Sequence, residues 1–355
     1  MMTPRERWLA VLSGKRPDRV PCDYQATKEV TSRLLTELGC ASERDLWERL
    51  GIDAAIRLGP THALADEDNW HMQSHYKVWQ IGTEEVPYGN GTGVYVEVVS
   101  HPLAKAETVA DVERFAWPDP DAWDVSGLRA KCQAWAGYPI IGGCFEPFYL
   151  YCRLRGMEQA LMDLALNPAI TDAILERIYY IHESVIRRTL EAAADLIDLI
   201  YVAEDFGTQN SLLMSPAAFR RFLKPWLARM IQLVHSYGGE VIHHDDGAIR
   251  PLLPELIEIG IDVLDPVQWR CPGLDREGLA RDFGAELVFH GAVDNQQTLP
   301  FGTPEDVRRE VADNIRMFQD CKGYIVASCH NIQPNTPTEN IVALYDAVRE
   351  FGQMR

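Results

Sequence analysis

The stretch Glu240-Val241-Ile242-His243-His244-Asp245-Asp246-Gly247 begins as a short apolar run and ends in two histidines, two aspartates and a glycine. Side chains alternate faces along a strand, so His244 and Asp246 share one face while His243 and Asp245 share the other. An imidazole and a carboxylate two residues apart on one face can bind a single cation. Gly247 lets the backbone turn sharply where the strand ends.

A third donor, His330, lies in Ser328-Cys329-His330-Asn331. Two imidazoles and a carboxylate suit Zn²⁺, Fe²⁺ or Mn²⁺ and leave positions open for substrate or water. The same residues also admit a structural role, with His244 hydrogen-bonded to Asp246 and ordering the rim. Cys329 adjoins His330 but faces the other way on an extended strand, where it reads as a buried thiol or as the ligand in place of His330. Glu204 and Asp205 are paired carboxylates at another strand end, suited to ligation or to general acid–base work. Helix capping is a poor account of either, because both stand far upstream of Ser215. Asp294 can bind substrate or open the turn Asp294-Asn295. His290 reads as an internal histidine, His71 and His75 as surface residues, and Arg153 with Arg155 as a solvated helix face or an anion site.

These groups must be positioned by the rest of the chain. Eight apolar strand candidates span 19–24, 53–58, 139–144, 196–203, 240–244, 262–266, 287–292 and 323–328. Helices are expected over 3–12, 27–38 and 42–50, then over 148–166, 168–192, 216–237, 249–259, 274–283, 304–319 and 337–351. Caps stand at Thr3, Ser215, Thr303 and Thr336, each followed by proline. Eight strands alternating with helices are the pattern of a (β/α)8 TIM barrel, with an N-terminal helical extension. The whole chain, 1–355, reads as one domain. A small β insertion is expected around 61–120, with strands over 76–81 and 93–99 and a turn at Pro87-Tyr88-Gly89-Asn90-Gly91. No glycine-rich fingerprint supports the alternative of a doubly wound sheet.

Barrel sites lie at the C-terminal ends of the strands. There the chain delivers Asp23, Tyr24 and Gln25, then Glu146, then Glu204, Asp205 and Gln209. Further on come His244 and Asp246, Asp265 and Gln268, His290 and Asp294, and finally His330 and Asn331. Tyr24, Glu146, Gln209, Gln268 and Asn331 are the expected substrate contacts.

With 34 basic and 52 acidic residues the formal charge is −18. That balance disfavours nucleic acid and anionic membranes, and disfavours an anionic substrate unless the cleft is locally basic. The eight cysteines form no CxxC pair and read as reduced thiols. No secretory signal or membrane-spanning run stands out, so a cytoplasmic protein acting on a small molecule is expected, and a homodimer is compatible with this.

Four blocks together carry a family resemblance. They are Glu204-Asp205-Phe206-Gly207-Thr208-Gln209 with Leu213-Met214-Ser215-Pro216; His244-Asp245-Asp246-Gly247-Ala248-Ile249; Ile261 to Gln268; and His330-Asn331-Ile332-Gln333-Pro334-Asn335-Thr336-Pro337. The chain resembles the uroporphyrinogen decarboxylase superfamily, whose fold is a (β/α)8 barrel. Porphyrin decarboxylases carry an arginine-rich segment after the first strand, where this chain has Asp23-Tyr24-Gln25-Ala26-Thr27-Lys28. The cobamide-dependent methyltransferases of the superfamily bind zinc through a His-x-Cys pair and a later Cys. The matching positions here are His244, Asp246 and His330, so harder ligands replace both thiolates. Such a set leaves the metal more Lewis acidic, suited to polarising an oxygen or nitrogen rather than to activating a thiol. The resemblance thus implies a metal-dependent methyltransferase, with Zn²⁺ the expected ion, acting on an O- or N-methylated compound. The methyl acceptor would be a corrinoid carried by a separate protein, because the chain lacks the Asp-x-His-x-x-Gly segment of corrinoid carriers. The alternative is a metal-dependent decarboxylase or lyase of a small carboxylate, with Asp205 or Asp294 moving the proton.

Overall fold

The computed structural model describes residues 2–65, 70–88 and 93–353. Its strands are β1 (Ile56–Leu58), the pair β2 (Gly82–Tyr88) and β3 (Gly93–Ser100), then β4 (Ile140–Phe145), β5 (Leu199–Val202), β6 (Glu240–His244), β7 (Val263–Asp265), β8 (Val288–Val293) and β9 (Gly323–Ser328). Seven of them form one parallel sheet in the order β1-β4-β5-β6-β7-β8-β9. Parallel strands covered on both faces should be apolar throughout, and every residue of β4, β5, β7 and β8 is buried.

The segment 20–26 closes this sheet into a barrel. Cys22 bridges to Val326 in parallel, and the Asp53 N–H donates to the Cys22 carbonyl at 2.8 Å. A full strand was expected here, but only isolated bridges form. Pro21 has no N–H to give to a ladder, which accounts for the thin pairing.

Two apolar layers result. Inside the barrel sit Ile141, Leu199, Ile242, Val263, Val288 and Ile325, closed from below by Trp8, Val11 and Leu12 of the first helix, Pro4–Leu12. Trp8 is fully buried, and its indole N–H donates to the Asp53 carbonyl at 2.9 Å. The N-terminal extension therefore plugs the lower end of the barrel, leaving the C-terminal mouth as the way in. Between strands and helices lies the larger layer, including Leu34, Phe148, Ile178, Leu227 and Leu344. Each such side chain contributes about 1.5–3 kcal/mol on leaving water.

Several element boundaries differ from the sequence reading, for identifiable reasons. The helix expected over 148–166 is two helices, Pro147–Arg155 and Met157–Leu166, parted at Gly156 with φ +86°. The helix expected over 216–237 divides into Pro216–Phe222 and Lys224–Ser236, with Pro225 in the first turn of the second. Short helices at Val109–Arg114 and Leu128–Ala134 were not foreseen. The last helix starts after Pro337 without a side-chain cap, so Thr336 does not play that part. In the insertion, the stretch expected as a first strand coils instead: Val78, Trp79 and Ile81 are all buried, and the Trp79 indole donates to the Met72 carbonyl at 2.8 Å. The first hairpin strand is β2, which pairs with β3 in antiparallel register. Residues 89–91 of the expected turn lie outside the described residues.

Candidate metal-binding mouth

β6 presents its side chains as the alternation requires. Ile242 packs in the inner layer, whereas Val241 belongs to the outer one. His243 and Asp245 turn outward and are buried, the first donating from Nδ1 to the Val202 carbonyl (2.8 Å) and the second receiving the Phe206 N–H (2.8 Å). His244 faces the mouth. Its Nε2 lies 3.8 Å from Asp205 Oδ1 and 3.9 Å from Asp246 Oδ2, and His330 Nε2 lies 4.0 Å from that same Asp246 oxygen. Donors held tetrahedrally at about 2.0–2.1 Å from an ion stand roughly 3.4 Å from one another. The spacings from His244 to Asp205 and to Asp246 approach that value within about half an ångström, whereas His330 comes near through Asp246 and would have to swing further to share the ion. Asp205, His244 and Asp246 form the tightest trio, with His330 beside it.

The support beneath His244 matches the chemistry of such a site. Its Nδ1 is 3.1 Å from Asp265 Oδ2, which fixes the ring and directs Nε2 to the mouth. Asp265 also receives the Tyr201 hydroxyl and lies 2.6 Å from His290 Nδ1. His290 Nε2 is 3.3 Å from Asp23, which pairs with Arg57 at 2.6 Å. A line of alternating charge thus crosses the barrel from His244 to Arg57. Burial opposes the charge on His244, but Asp265, Asp246 and Asp205 outweigh it and hold its pKa well above the ordinary value. A bound cation would displace that proton. His290, buried between Asp265 and Asp23, is raised to about 9 in the same way.

A cavity of about 1320 Å³ opens over these groups. Tyr24, Glu146, Asp205, His244, His330 and Asn331 all line it, so the fold brings together six of the residues selected from sequence. Glu146 is buried, and burial pushes its carboxyl up to about 7 despite the opposing field of His244. With His71 and Cys144 it forms a second group of convergent donor atoms. His71 is therefore no surface residue: it lines the cavity, and burial lowers its pKa to about 3. His75 is buried as well, stacked on Trp123.

Other expectations are displaced. Glu204 is fully buried, and its carboxylate accepts the N–H groups of Phe148 (2.8 Å) and Tyr149 (3.0 Å). It caps the helix Pro147–Arg155 across space, a role hidden by looking only to the next helix in sequence. Asp294 is engaged by its own loop: it accepts from the N–H groups of Gln296, Gln297 and Thr298 at 3.0–3.2 Å and pairs with Arg270. Gln268 braces the turn after β6 by accepting the Gly247 N–H at 2.7 Å, and Gln209 is exposed beside Cys271. Neither lines the cavity. Cys329 is a buried thiol donating to the Val267 carbonyl at 3.3 Å. Arg155 is no solvated cation but a buried partner of Asp163 at 2.6 Å. Trp70 of the insertion, read as a residue that could overhang a site, lines the cavity. The sequence assigns no role to Asp265, Arg57 or Tyr201. Asp265 alone carried a signal, as a carboxylate at a strand end.

The family model described as "Uroporphyrinogen decarboxylase (URO-D)" matches residues 86–351. A uroporphyrinogen decarboxylase of Trichlorobacter lovleyi is 26% identical over 276 residues, covering 74% of this chain and 76% of that protein. One from Nocardioides sp. is 27% identical over 264 residues, covering 72% and 71%. Among solved structures, a methyltransferase from Methanosarcina mazei superposes with a TM-score of 0.70 at 21% identity, covering 99% of both chains. That likeness extends over the whole barrel and bears on fold.

Proposed function

The chain belongs to the uroporphyrinogen decarboxylase family, and on that premise we propose that it is a metal-dependent methyltransferase. It moves a methyl group from a small O- or N-methylated compound to a reduced corrinoid carried by a separate protein. The observation that carries this reading is His244 Nε2 facing Asp205 and Asp246 at 3.8 and 3.9 Å with His330 alongside. This is a nitrogen- and oxygen-donor set without a thiolate. An ion held there acts as a Lewis acid on the heteroatom that loses the methyl group.

The chain's own residues do the rest. Asp265 keeps His244 in the tautomer that offers Nε2 to the mouth. Trp70, Tyr24 and Tyr201 give the cavity an aromatic wall. The methyl group passes to the corrinoid cobalt, the carbon–heteroatom pair stays with the substrate, and the heteroatom takes a proton.

The competing reading is decarboxylation of a small carboxylate, favoured by the names of the sequence relatives. Uroporphyrinogen itself suits the chain poorly, because residues 23–28 lack the arginines that grip its carboxylates. One experiment separates the readings. The zinc-loaded protein is mixed with reduced cobalamin and a panel of methoxylated and methylaminated compounds, and the spectrum of methylcobalamin is followed. Its growth with one of them supports methyl transfer. A flat spectrum, together with CO₂ release from a small acid, replaces that reading with decarboxylation.

A further inference from the structure

Arg153 differs from the other buried arginines. Arg57 is matched by Asp23 and Arg155 by Asp163, each at 2.6 Å. Arg153 lines the cavity half-buried, yet among the described residues no carboxylate reaches ion-pair distance of it. Its guanidinium lies 4.5 Å from the ring centre of Tyr149 and 6.0 Å from that of Tyr76, and it donates to the Tyr149 hydroxyl. Tyr149 and Arg153 are four residues apart and so share one face of their helix. Glu97 of the hairpin is an acidic group whose field reaches Arg153 from outside contact range. A half-desolvated cation between aromatic faces, without a counter-ion, is a receptor for a planar anion.

We propose that Arg153, with Tyr149 and Tyr76, forms the carboxylate-holding pole of the cavity, so that the substrate is a small aromatic acid. This rests on the methyl-transfer reading only for what happens at the other end. There Asp205 and His244 line the wall, and the field of Glu146 reaches Arg153 as well. In a chain of net charge −18, this local cation supplies the attraction that the overall field denies.

The test is binding of benzoate and of benzyl alcohol to the zinc-loaded full chain by calorimetry, without corrinoid. Benzoate is expected to bind more tightly than benzyl alcohol. Arg153→Gln should weaken benzoate about 10–100-fold, the scale of a lost charge-assisted contact, and leave benzyl alcohol within about twofold. Arg153→Lys, which keeps the charge without the fork, should fall between. Arg44→Gln, at a second arginine on the cavity wall, should leave benzoate binding unchanged. Equal affinity of the wild type for the two ligands overturns the proposal. So does wild-type benzoate binding by Arg153→Gln, or a loss that follows Arg44 instead. Because benzoate carries no methyl group, a methylcobalamin assay that fails while benzoate still binds counts against methyl transfer alone.

Discussion

His244 Nδ1 and Asp265 Oδ2 stand 3.1 Å apart, joining the end of β6 to the end of the neighbouring β7. The contact sets which imidazole nitrogen meets the cavity. Replacing Asp265 by Asn keeps shape but removes the charge that orients the ring. Zinc affinity is expected to fall about 10–100-fold, as for other partners of ligating histidines. Competition against a chromogenic chelator measures it, and unchanged affinity would remove Asp265 from the site.

His244→Ala, Asp246→Ala and Asp205→Ala should each lower bound zinc to a small fraction of one ion per chain. His330→Ala should weaken binding less, since its side chain is half-exposed and comes within 4.0 Å of a cluster carboxylate only at Asp246. Metal analysis after gel filtration gives the stoichiometry, with melting curves as the check on folding. Full occupancy in all four variants would contradict the assignment.

Glu204 makes a prediction opposite to that of a catalytic carboxylate. Glu204→Ala leaves the N–H groups of Phe148 and Tyr149 buried without their acceptor. It should destabilise the fold by about 1–3 kcal/mol, read from urea unfolding. Turnover per folded molecule should stay near that of the wild type. Glu204→Gln, which retains an acceptor oxygen, should cost less.

Arg155→Met tests the buried pair with Asp163, where both side chains are nearly inaccessible. Losing one partner strands the other charge, and a loss of roughly 3–5 kcal/mol is expected. A variant as stable as the wild type would show that Asp163 is satisfied by Gln159 and Asn167 alone.

At the lower rim, His235 Nε2 lies 2.8 Å from Asp262, and that hydrogen bond raises the histidine pKa above 6.5. The folded imidazole keeps its proton to higher pH than the unfolded one. The pair's contribution is complete below 6.5 and fades as the pH rises through the folded value. On the acid side, Asp262 is held low by His235 despite burial, so the contribution is also lost as the pH falls through that carboxyl's folded value. The difference in melting temperature between wild type and His235→Gln should therefore shrink from pH 6 toward pH 9. A difference independent of pH would show that the charge is not involved.

The parts of this molecule that the sequence made legible are those governed by local periodicity. β6 and β9 fall over the residues read as strands, and Asp246, just past the end of β6, stands on the same side as His244 as the spacing implies. Partnerships across the barrel were not legible. Asp265 could be named as a strand-end residue, but its contact with His244 depends on the register of β6 against β7. Glu204 was misread for the same reason, since the helix it caps precedes it by some fifty residues. His71 reaches the cavity because it bridges to Cys144 beside β4, a pairing that no local pattern marks.

The thin seam at residues 20–26 carries a mechanical meaning. Asp23 Oδ1 takes the Ala55 N–H at 2.8 Å, so a side chain does some of the stitching that a ladder would otherwise do. The same carboxylate holds Arg57 and stands against His290. Beside the backbone bridges of the seam, this ionised clasp ties the first strand-like segment to β1 and also anchors the polar floor under the mouth. If that clasp were undone, Arg57 and His290 would be unseated together, so the seam would loosen at the place where its floor lost alignment.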